Sequence, residues 1–273
     1  MRKERYFIRY LYKWLILVFL VFTVVSITFN VLSYQRERKY YYEIIGQEQQ
    51  KRLNYLSHNI ENELIKLKIT SNMILEEDVV KELYCKWDFI NSYERNELLD
   101  NIKRRCLEID NLNSFVASST FYLPDRQLRV DGNGYEIIGE DACGLADRGM
   151  RQDMLALKDG KVYIVEMSRK NYLEEWDRDN ILGVFVIELS EELIRAELEF
   201  AKMTDGDIIY MMDEQENNLL FKTTGPDLRK MEVQDGENKV WVDGEEYTLM
   251  HADGGGRFFR LRYMQDQTFI RLI

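Results

Sequence analysis

The sequence predicts an α+β protein in which a transmembrane helix continues into a long stalk helix and is followed by two antiparallel sheets. Three observations indicate this fold class. A long apolar segment lies near the N-terminus, an apolar repeat of helical period follows it, and two groups of strand-like segments are separated by one helix. Helices followed by sheets, without strict alternation of strand and helix, are typical of α+β proteins.

The apolar segment is "WLILVFLVFTVVSITFNVL", Trp14 to Leu32, and it has no charged residue. A hydrocarbon core about 30 Å thick requires roughly 20 helical residues, so this length is sufficient to span a bilayer. Its threonine and serine hydroxyls can hydrogen-bond to the helix backbone. A core helix would carry a polar stripe, and a cleaved signal peptide would have a shorter apolar region before small residues. We therefore predict an uncleaved transmembrane helix over residues 14–33, with these two interpretations as alternatives.

Charged and aromatic residues flank the apolar segment on both sides. The arm of residues 1–13 carries five basic side chains and one acidic side chain, a net charge of +4. Positive charge favours the cytoplasmic side, whereas tyrosine and tryptophan favour both headgroup zones. Basic residues at Arg36, Arg38 and Lys39 reduce the contrast between the two flanks. We predict a cytoplasmic arm at residues 1–13, with residues 34–273 outside the cell membrane.

A helical repeat lies within residues 34–75, which contain no proline and one glycine. Its apolar residues are on average 3.5 positions apart, the period of a seam between packed helices. The members of this stripe are Leu53, Leu56, Ile60, Leu64, Leu67 and Ile74. Two interpretations are open: the stalk pairs with its twin in a homodimer, or it packs the stripe against its own domain. His58 lies off the stripe, and we expect it to be solvated.

Composition restricts the classes of partner. Residues 1–39 hold 8 of the 37 basic and 2 of the 48 acidic residues, so the remaining chain has 29 basic and 46 acidic residues, a net charge of −17. Nucleic acid requires a basic face, so it is not expected as a partner. Two histidines and three cysteines without zinc-ligand spacing argue against a zinc site. For Cys85 and Cys106, in neighbouring helical segments, a disulfide bond and free thiols are both open.

The segments after the stalk predict helices and then a first sheet. Residues 76–111 form two helices with a break near Asn91 or Ser92, and either residue can cap the second helix. "SFVASSTFYLP" is rich in aromatic and β-branched residues, and "QLRV" and the turn residues 131–134 follow it. This order predicts a β-hairpin.

A second strand pair, "GKVYIVEMSR" and "ILGVFVIEL", follows around a polar connection. The helix "SEELIRAELEFA", with Ser190 as its N-cap, comes directly after this pair. Beyond it, three segments predict a second sheet, with turns through residues 214–218 and 243–244. They are "DIIYMMDEQENNLLFKT", "KVWVDGEEYTLMHA" and "RFFRLRYMQ".

Local signatures of catalysis are missing from the sequence. There is no G-x-S-x-G motif, no P-loop, no dinucleotide-binding glycine motif and no EF-hand calcium loop. The glycine triplet at residues 254–256 predicts a hairpin connection in preference to an anion site. We therefore expect no enzymatic activity and no cofactor in this chain.

The polar connection at residues 168–180 is a candidate ligand-binding loop. It places Tyr172 and Trp176 beside charged residues, and aromatic faces flanked by charges bind zwitterions and sugars. An ordinary solvated loop is the alternative interpretation. Together with residues of the first sheet, the candidate ligand-binding residues are Tyr122, Arg129, Tyr163, Trp176 and Asp177.

The order of these elements resembles the extracytoplasmic double Cache region of bacterial membrane receptors. The resemblance covers nearly the whole chain and includes "ILGVFVIELSEELI", "DIIYMMDEQENNLLF" and "EYTLMHADGGGRFFRLRYMQ". More narrowly, "NSFVASSTFYLPDRQLRV" and "GVFVIELSEELIRAEL" are similar to segments of sensor histidine kinases that sense carbohydrates or peptides. They are also similar to segments of membrane-bound AraC-type regulators.

The resemblance implies two PAS-like domains, a membrane-distal one at residues 76–189 and a membrane-proximal one at residues 190–273. It also implies that the distal domain holds a small extracellular ligand. The aromatic-arginine-aspartate pattern of amino-acid-binding members is not found, which leaves a sugar, an oligosaccharide or a peptide open.

Receptors of this kind re-enter the membrane and carry an output domain, whereas this chain stops at "QDQTFIRLI". We therefore expect the input region of a two-component sensor histidine kinase, truncated before its second transmembrane helix. The input region of an AraC-type regulator and a stand-alone membrane-anchored binding protein are the alternatives.

Overall fold

A computed structural model describes residues 2–138, 155–170, 181–215, 217–228, 232–233, 238–252 and 258–266. The chain divides into two compact units. The smaller unit contains the first 49 residues, and the larger unit, Gln50–Thr268, contains both sheets.

Helix α1 (Arg2–Glu76) begins in the smaller unit. From Trp14 to Leu32 its large apolar side chains are 49–72% exposed. The hydroxyls of Thr23 and Thr28 donate to the carbonyl oxygens four residues earlier, each at 2.8 Å, as the sequence predicts. Of the described residues, only those of α1 form a helix long and apolar enough to cross a membrane. Its most apolar stretch has a mean hydropathy of 2.7 and no buried residue.

Two shorter helices follow α1 in the larger unit, α2 (Asp78–Lys86) and α3 (Ser92–Leu112). Asn91 caps α3, because its side-chain oxygen accepts the Glu94 N–H at 2.9 Å and the Glu94 carboxylate accepts the Asn91 N–H at 3.4 Å. This reciprocal pair is a capping box. The predicted break between the two helices is confirmed, and Asn91 is its capping residue.

Among the described residues, sheet A contains six antiparallel strands in the order β3-β2-β1-β6-β5-β4. The strands are β1 (Val116–Leu123), β2 (Leu128–Asp131), β3 (Gly134–Ile137), β4 (Ala156–Lys158), β5 (Lys161–Arg169) and β6 (Ile181–Leu189), with a 3-10 helix at Pro124–Arg126. The predicted hairpin is β2–β3, where Asp131 accepts the N–H groups of Asn133 and Gly134. The predicted second pair is β5–β6. Both predictions are confirmed.

Helix α4 (Glu191–Phe200) connects the two sheets, and Ser190 caps it by accepting the Leu193 N–H. Sheet B has the strand order β8-β7-β12-β11-β10-β9. Its strands are β7 (Ile208–Asp213), β8 (Leu219–Lys222), β9 (Glu232–Val233), β10 (Lys239–Val242), β11 (Glu245–His251) and β12 (Phe259–Asp266). The turn between β10 and β11 uses Asp243 and Gly244, both at positive φ, as the predicted two-residue hairpin requires.

One continuous hydrophobic core joins α1, α3, α4 and one face of each sheet. The apolar stripe of α1 lies inside this core, with each member no more than 5% exposed. Of the two interpretations of the stripe, packing against its own domain is therefore the one observed, whereas pairing of the stalk in a homodimer stays a prediction. His58 is exposed, as expected.

Packing of the Phe121 ring against β6 depends on one glycine. A Cβ atom placed on Gly183 would lie 2.9 Å from the ring of Phe121, whereas its 3.6 Å distance from the side chain of Leu75 in α1 would be an ordinary contact. Glycine at this position therefore leaves room for the Phe121 ring of the neighbouring strand.

Candidate functional site

The two faces of sheet A have different surroundings. Residues alternate between faces along a strand. On β1, the Ser119 hydroxyl donates to the Cys106 carbonyl of α3 at 2.9 Å, so Ser119 and Phe121 belong to the face that packs on the helices. Thr120 and Tyr122 belong to the opposite face. We call this opposite face the site face, defined by Tyr122, Arg129, Tyr163, Val165, Met167, Val184 and Val186.

The centre of the site face is apolar. Val184 and Val186 of β6 are 1% and 4% exposed, and they form a cluster with Ile181 that is separate from the main core. The partly buried apolar side chains packed against this cluster come from β1 and β5. They are Tyr122, Tyr163, Val165 and Met167. An apolar floor with tyrosine rings at its edge is typical of small-molecule sites.

Tyr122 and Arg129 are direct cross-strand neighbours on the site face. The Arg129 guanidinium contacts Asp131 at 3.1 Å and Glu136 at 3.1 Å. Both carboxylates come from the β2–β3 hairpin, so the hairpin itself neutralises this arginine. A ligand carboxylate would have to displace one of these ion pairs to bind Arg129.

Tyr163 lies on the other side of the apolar floor, opposite Glu188 in the β5–β6 ladder. Burial and the nearby charge and hydrogen bond of Glu188 raise the pKa of the Tyr163 hydroxyl, which therefore stays protonated at neutral pH. Glu188 also forms an ion pair with Lys161 at 2.7 Å. The charges beside Tyr163 are thus paired with each other.

The described candidate residues share one face, but they do not meet at one point. Tyr122 of β1 lies in line with Val184 of β6 and Met167 of β5. Met167 is four residues along β5 from Tyr163, and β1 is two strands away from β5. Strand spacing and rise per residue place the two tyrosines roughly 16 Å apart. Trp176 and Asp177 lie outside the described residues, as does most of the 168–180 connection.

The C-terminal end of β5 is attached to the helical layer by Lys170. Its ammonium group lies 2.7 Å from the Asp125 carboxylate and 5.5 Å from the centre of the Tyr84 ring. Burial acts to lower the pKa of Lys170, but the hydrogen bond and charge of Asp125 outweigh it and raise the pKa. Lys170 is therefore cationic and holds one rim of the site face in place.

The sequence-based selection missed the residues that form the apolar floor. Val184, Val186, Met167 and the rim residue Glu188 were not among the candidates. A signal was present in "ILGVFVIEL", since a strand that is apolar at nearly every position is buried on both faces. In β6, every residue except Glu188 is buried.

Other features of the described chain are weaker candidates. An open groove of about 600 Å³ on α4 is lined by Glu191, Glu192, Arg195 and Glu199. Burial opposes ionisation of Glu199, but hydrogen bonds from Thr224 and Lys202 lower its pKa. This carboxylate therefore already has hydrogen-bond partners within the protein. Among the residues that the structure describes, no cluster of His, Cys, Asp and Glu could hold a metal ion.

Comparison with known proteins gives a likeness in fold. No protein-family model matches the chain, and no curated protein matches its sequence. The extracellular domain of rpHK1S-Z16, described as a histidine kinase, superposes with a TM-score of 0.52 and 12% identity over 84% of this chain and 97% of that domain. The ligand-binding domain of Mlp24, solved with asparagine, has a TM-score of 0.52 and 11% identity over 85% of this chain and 96% of that domain.

These similarities agree with the element order of the chain. A long N-terminal helix is followed by two antiparallel sheets with helices on one face, which is the double Cache arrangement of extracellular sensory domains. The fold class predicted from the sequence is confirmed.

Proposed function

We propose that this chain is the extracytoplasmic ligand-sensing input region of a membrane receptor. Two features support the proposal: α1 carries an exposed apolar segment of sufficient length to anchor the chain, and the larger unit has a sensory-domain fold. The excess of basic residues before this segment favours a cytoplasmic N-terminus, with residues 34–273 outside. The likeness in fold to the extracellular domain of a histidine kinase supports a two-component kinase as the receptor, with an AraC-type regulator as the alternative.

The observation that carries the proposal is the site face of sheet A. It combines an apolar floor with two tyrosines, and it belongs to residues 76–189, which we propose as the membrane-distal domain. We propose residues 190–273 as the membrane-proximal domain.

The charges of the described site face favour a neutral ligand. Arg129 is paired with Asp131 and Glu136, and Lys161 is paired with Glu188. To bind, a charged ligand would have to break one of these ion pairs and leave one of its members without that partner. An uncharged ligand can instead pack against the partly buried tyrosine rings beside the valine cluster and hydrogen-bond to their hydroxyls, as pyranose sugars do on aromatic surfaces. We therefore propose a neutral sugar or oligosaccharide, with a short peptide as the second choice.

Thermal unfolding of the full chain in detergent tests this proposal directly. The probes are neutral mono- and oligosaccharides, dipeptides blocked at both termini and free amino acids. A compound that binds only the folded state stabilises it by about 2.7 kcal/mol at 100 times its dissociation constant, which is measurable as a rise in melting temperature. We expect a rise with at least one neutral sugar and none with free amino acids. A response to charged amino acids alone would contradict the proposed ligand class.

Tyrosine variants test whether the ligand that raises the melting temperature binds at the site face. Tyr122→Phe and Tyr163→Phe each remove one hydroxyl, and we expect about fivefold weaker binding because a hydrogen bond contributes on the order of 1 kcal/mol. Tyr135→Phe is the matched control, since Tyr135 belongs to the same sheet but bonds to Asn96 of α3 at 3.0 Å. Equal affinity of all three variants would place the binding elsewhere.

A further inference from the structure

Strand β5 connects the site face with the helical layer, because successive residues of the strand point alternately to the site face and to the helices. Val165 and Met167 belong to the site face and pack against the valine floor. Glu166, between them, is opposite Phe185 in the ladder and so lies on the helix side. A shift of β5 caused by contacts to Val165 or Met167 therefore also shifts Glu166.

Glu166 contacts the long helix through Lys68. The Lys68 ammonium lies 3.5 Å from the Glu166 carboxylate, and the two side chains are only 21% and 14% exposed. Solvent screening is weak for such a pair, so the attraction between the two charges is stronger than it would be at an exposed surface. The position of the Lys68 ammonium is therefore sensitive to the position of Glu166.

The same ammonium contacts sheet B. It lies 5.6 Å from the centre of the Phe258 ring, within the range of a cation–π interaction. Phe258 is 7% exposed, belongs to the continuous core, and directly precedes β12. Because β12 lies between β7 and β11 in sheet B, a change at Phe258 acts on a central strand.

We infer that Lys68 is a relay residue that couples the site face of sheet A to sheet B. Its role as part of a signal rests on the proposed sensing function, whereas the coupling itself does not. A ligand that moves β5 changes the attraction between Glu166 and Lys68, and the ammonium then redistributes between the Glu166 carboxylate and the Phe258 ring. Coupling of this kind is reciprocal, so a change in sheet B also changes the affinity of the site face for a ligand.

Hydrogen exchange of the full chain without any ligand tests the relay, so its outcome is independent of the thermal-shift screen. Glu166→Gln removes the charge but keeps the shape of a side chain in sheet A. We expect about fivefold faster amide exchange in the β12 peptide, Phe259–Asp266, because the released ammonium alters its contact with Phe258. The control is Glu77→Gln, which breaks the more exposed ion pair with Arg105 in the helical layer, at 2.9 Å, and should leave β12 unchanged.

Double variants with a change at Lys68 distinguish coupling through Lys68 from a general loss of stability. In a Lys68→Met background, Glu166→Gln should have no further effect on β12, because the relay is already missing. In a Lys68→Arg background, which keeps the cation, the effect should persist. An unchanged β12 in Glu166→Gln, or an equal increase with and without Lys68, would overturn the inference.

Discussion

The acidity of the Cys106 thiol in α3 is set by its burial. The side chain is fully buried, and the thiol lies 3.8 Å from the Val130 carbonyl of β2. Burial raises the pKa of this thiol to about 12. Cys85 is exposed, and both cysteines are free thiols, so the disulfide alternative left open by the sequence is not the one observed.

The raised pKa of Cys106 predicts a loss of stability at alkaline pH. A thiol in the unfolded chain ionises near pH 8.5, so between that pH and about 12 the unfolded state binds fewer protons and the free energy of unfolding falls as pH rises. Cys106→Ala removes this dependence. We expect the wild-type stability to fall by about 2 kcal/mol more than that of the variant between pH 8.5 and 10, measured by urea unfolding.

Both proteins in that comparison should carry Cys85→Ser and Cys143→Ser, so that Cys106 is the single difference in thiol content. The same pair provides an independent check, because iodoacetamide should modify Cys106 only after unfolding. Parallel pH curves for the two proteins, or rapid modification of the native state, would contradict the assignment of a buried thiol.

At the scale of single elements, α3 depends on its capping box. Asn91→Ala removes the acceptor for the Glu94 N–H, and we expect it to lower the free energy of unfolding by about 1 kcal/mol. Asn91→Asp keeps an acceptor at the same place and should cost little. Urea unfolding at pH 7 distinguishes the two variants, and an equal loss in both would show that the cap does not stabilise the helix.

Elements defined by local interactions were predictable from the sequence. The α3 cap, the Ser190 cap and the Asp243–Gly244 turn each depend on residues within a few positions of each other. The hairpin pairing that puts Arg129 beside Tyr122 also depends on a local turn. By contrast, the short strand β4 was missed, because its three residues show no alternation of polar and apolar side chains.

Non-local arrangements could not be predicted in the same way. The pairing of β1 with β6 joins strands that are far apart in sequence, and no local signal specifies it. The site face follows from this pairing, since it brings Val184 beside Tyr122. The apolar stripe of α1 was ambiguous for a related reason. A period of 3.5 residues has the same appearance whether the partner is a second helix or the protein's own sheets.

At the scale of the whole molecule, the buried stripe of α1 determines where a partner can bind. A proposed homodimer through the stalk has to use the opposite side of the helix, where Tyr55, Ile69 and Met73 are 54–75% exposed. These residues are few among polar neighbours, so an interface there would be smaller and more polar than a coiled-coil seam.

Cysteine labelling of the stalk in membranes tests this arrangement. In a chain with the three native cysteines replaced, Ile69→Cys should react with a maleimide within minutes, because Ile69 is 54% exposed. Ile60→Cys should react only after unfolding, because Ile60 is 0% exposed. Oxidative cross-linking between subunits should follow the same order, with a product at position 69 if the stalks are paired and none at position 60. A cross-linked dimer through position 60 would show that the stripe leaves the core to form a seam, which the observed burial opposes.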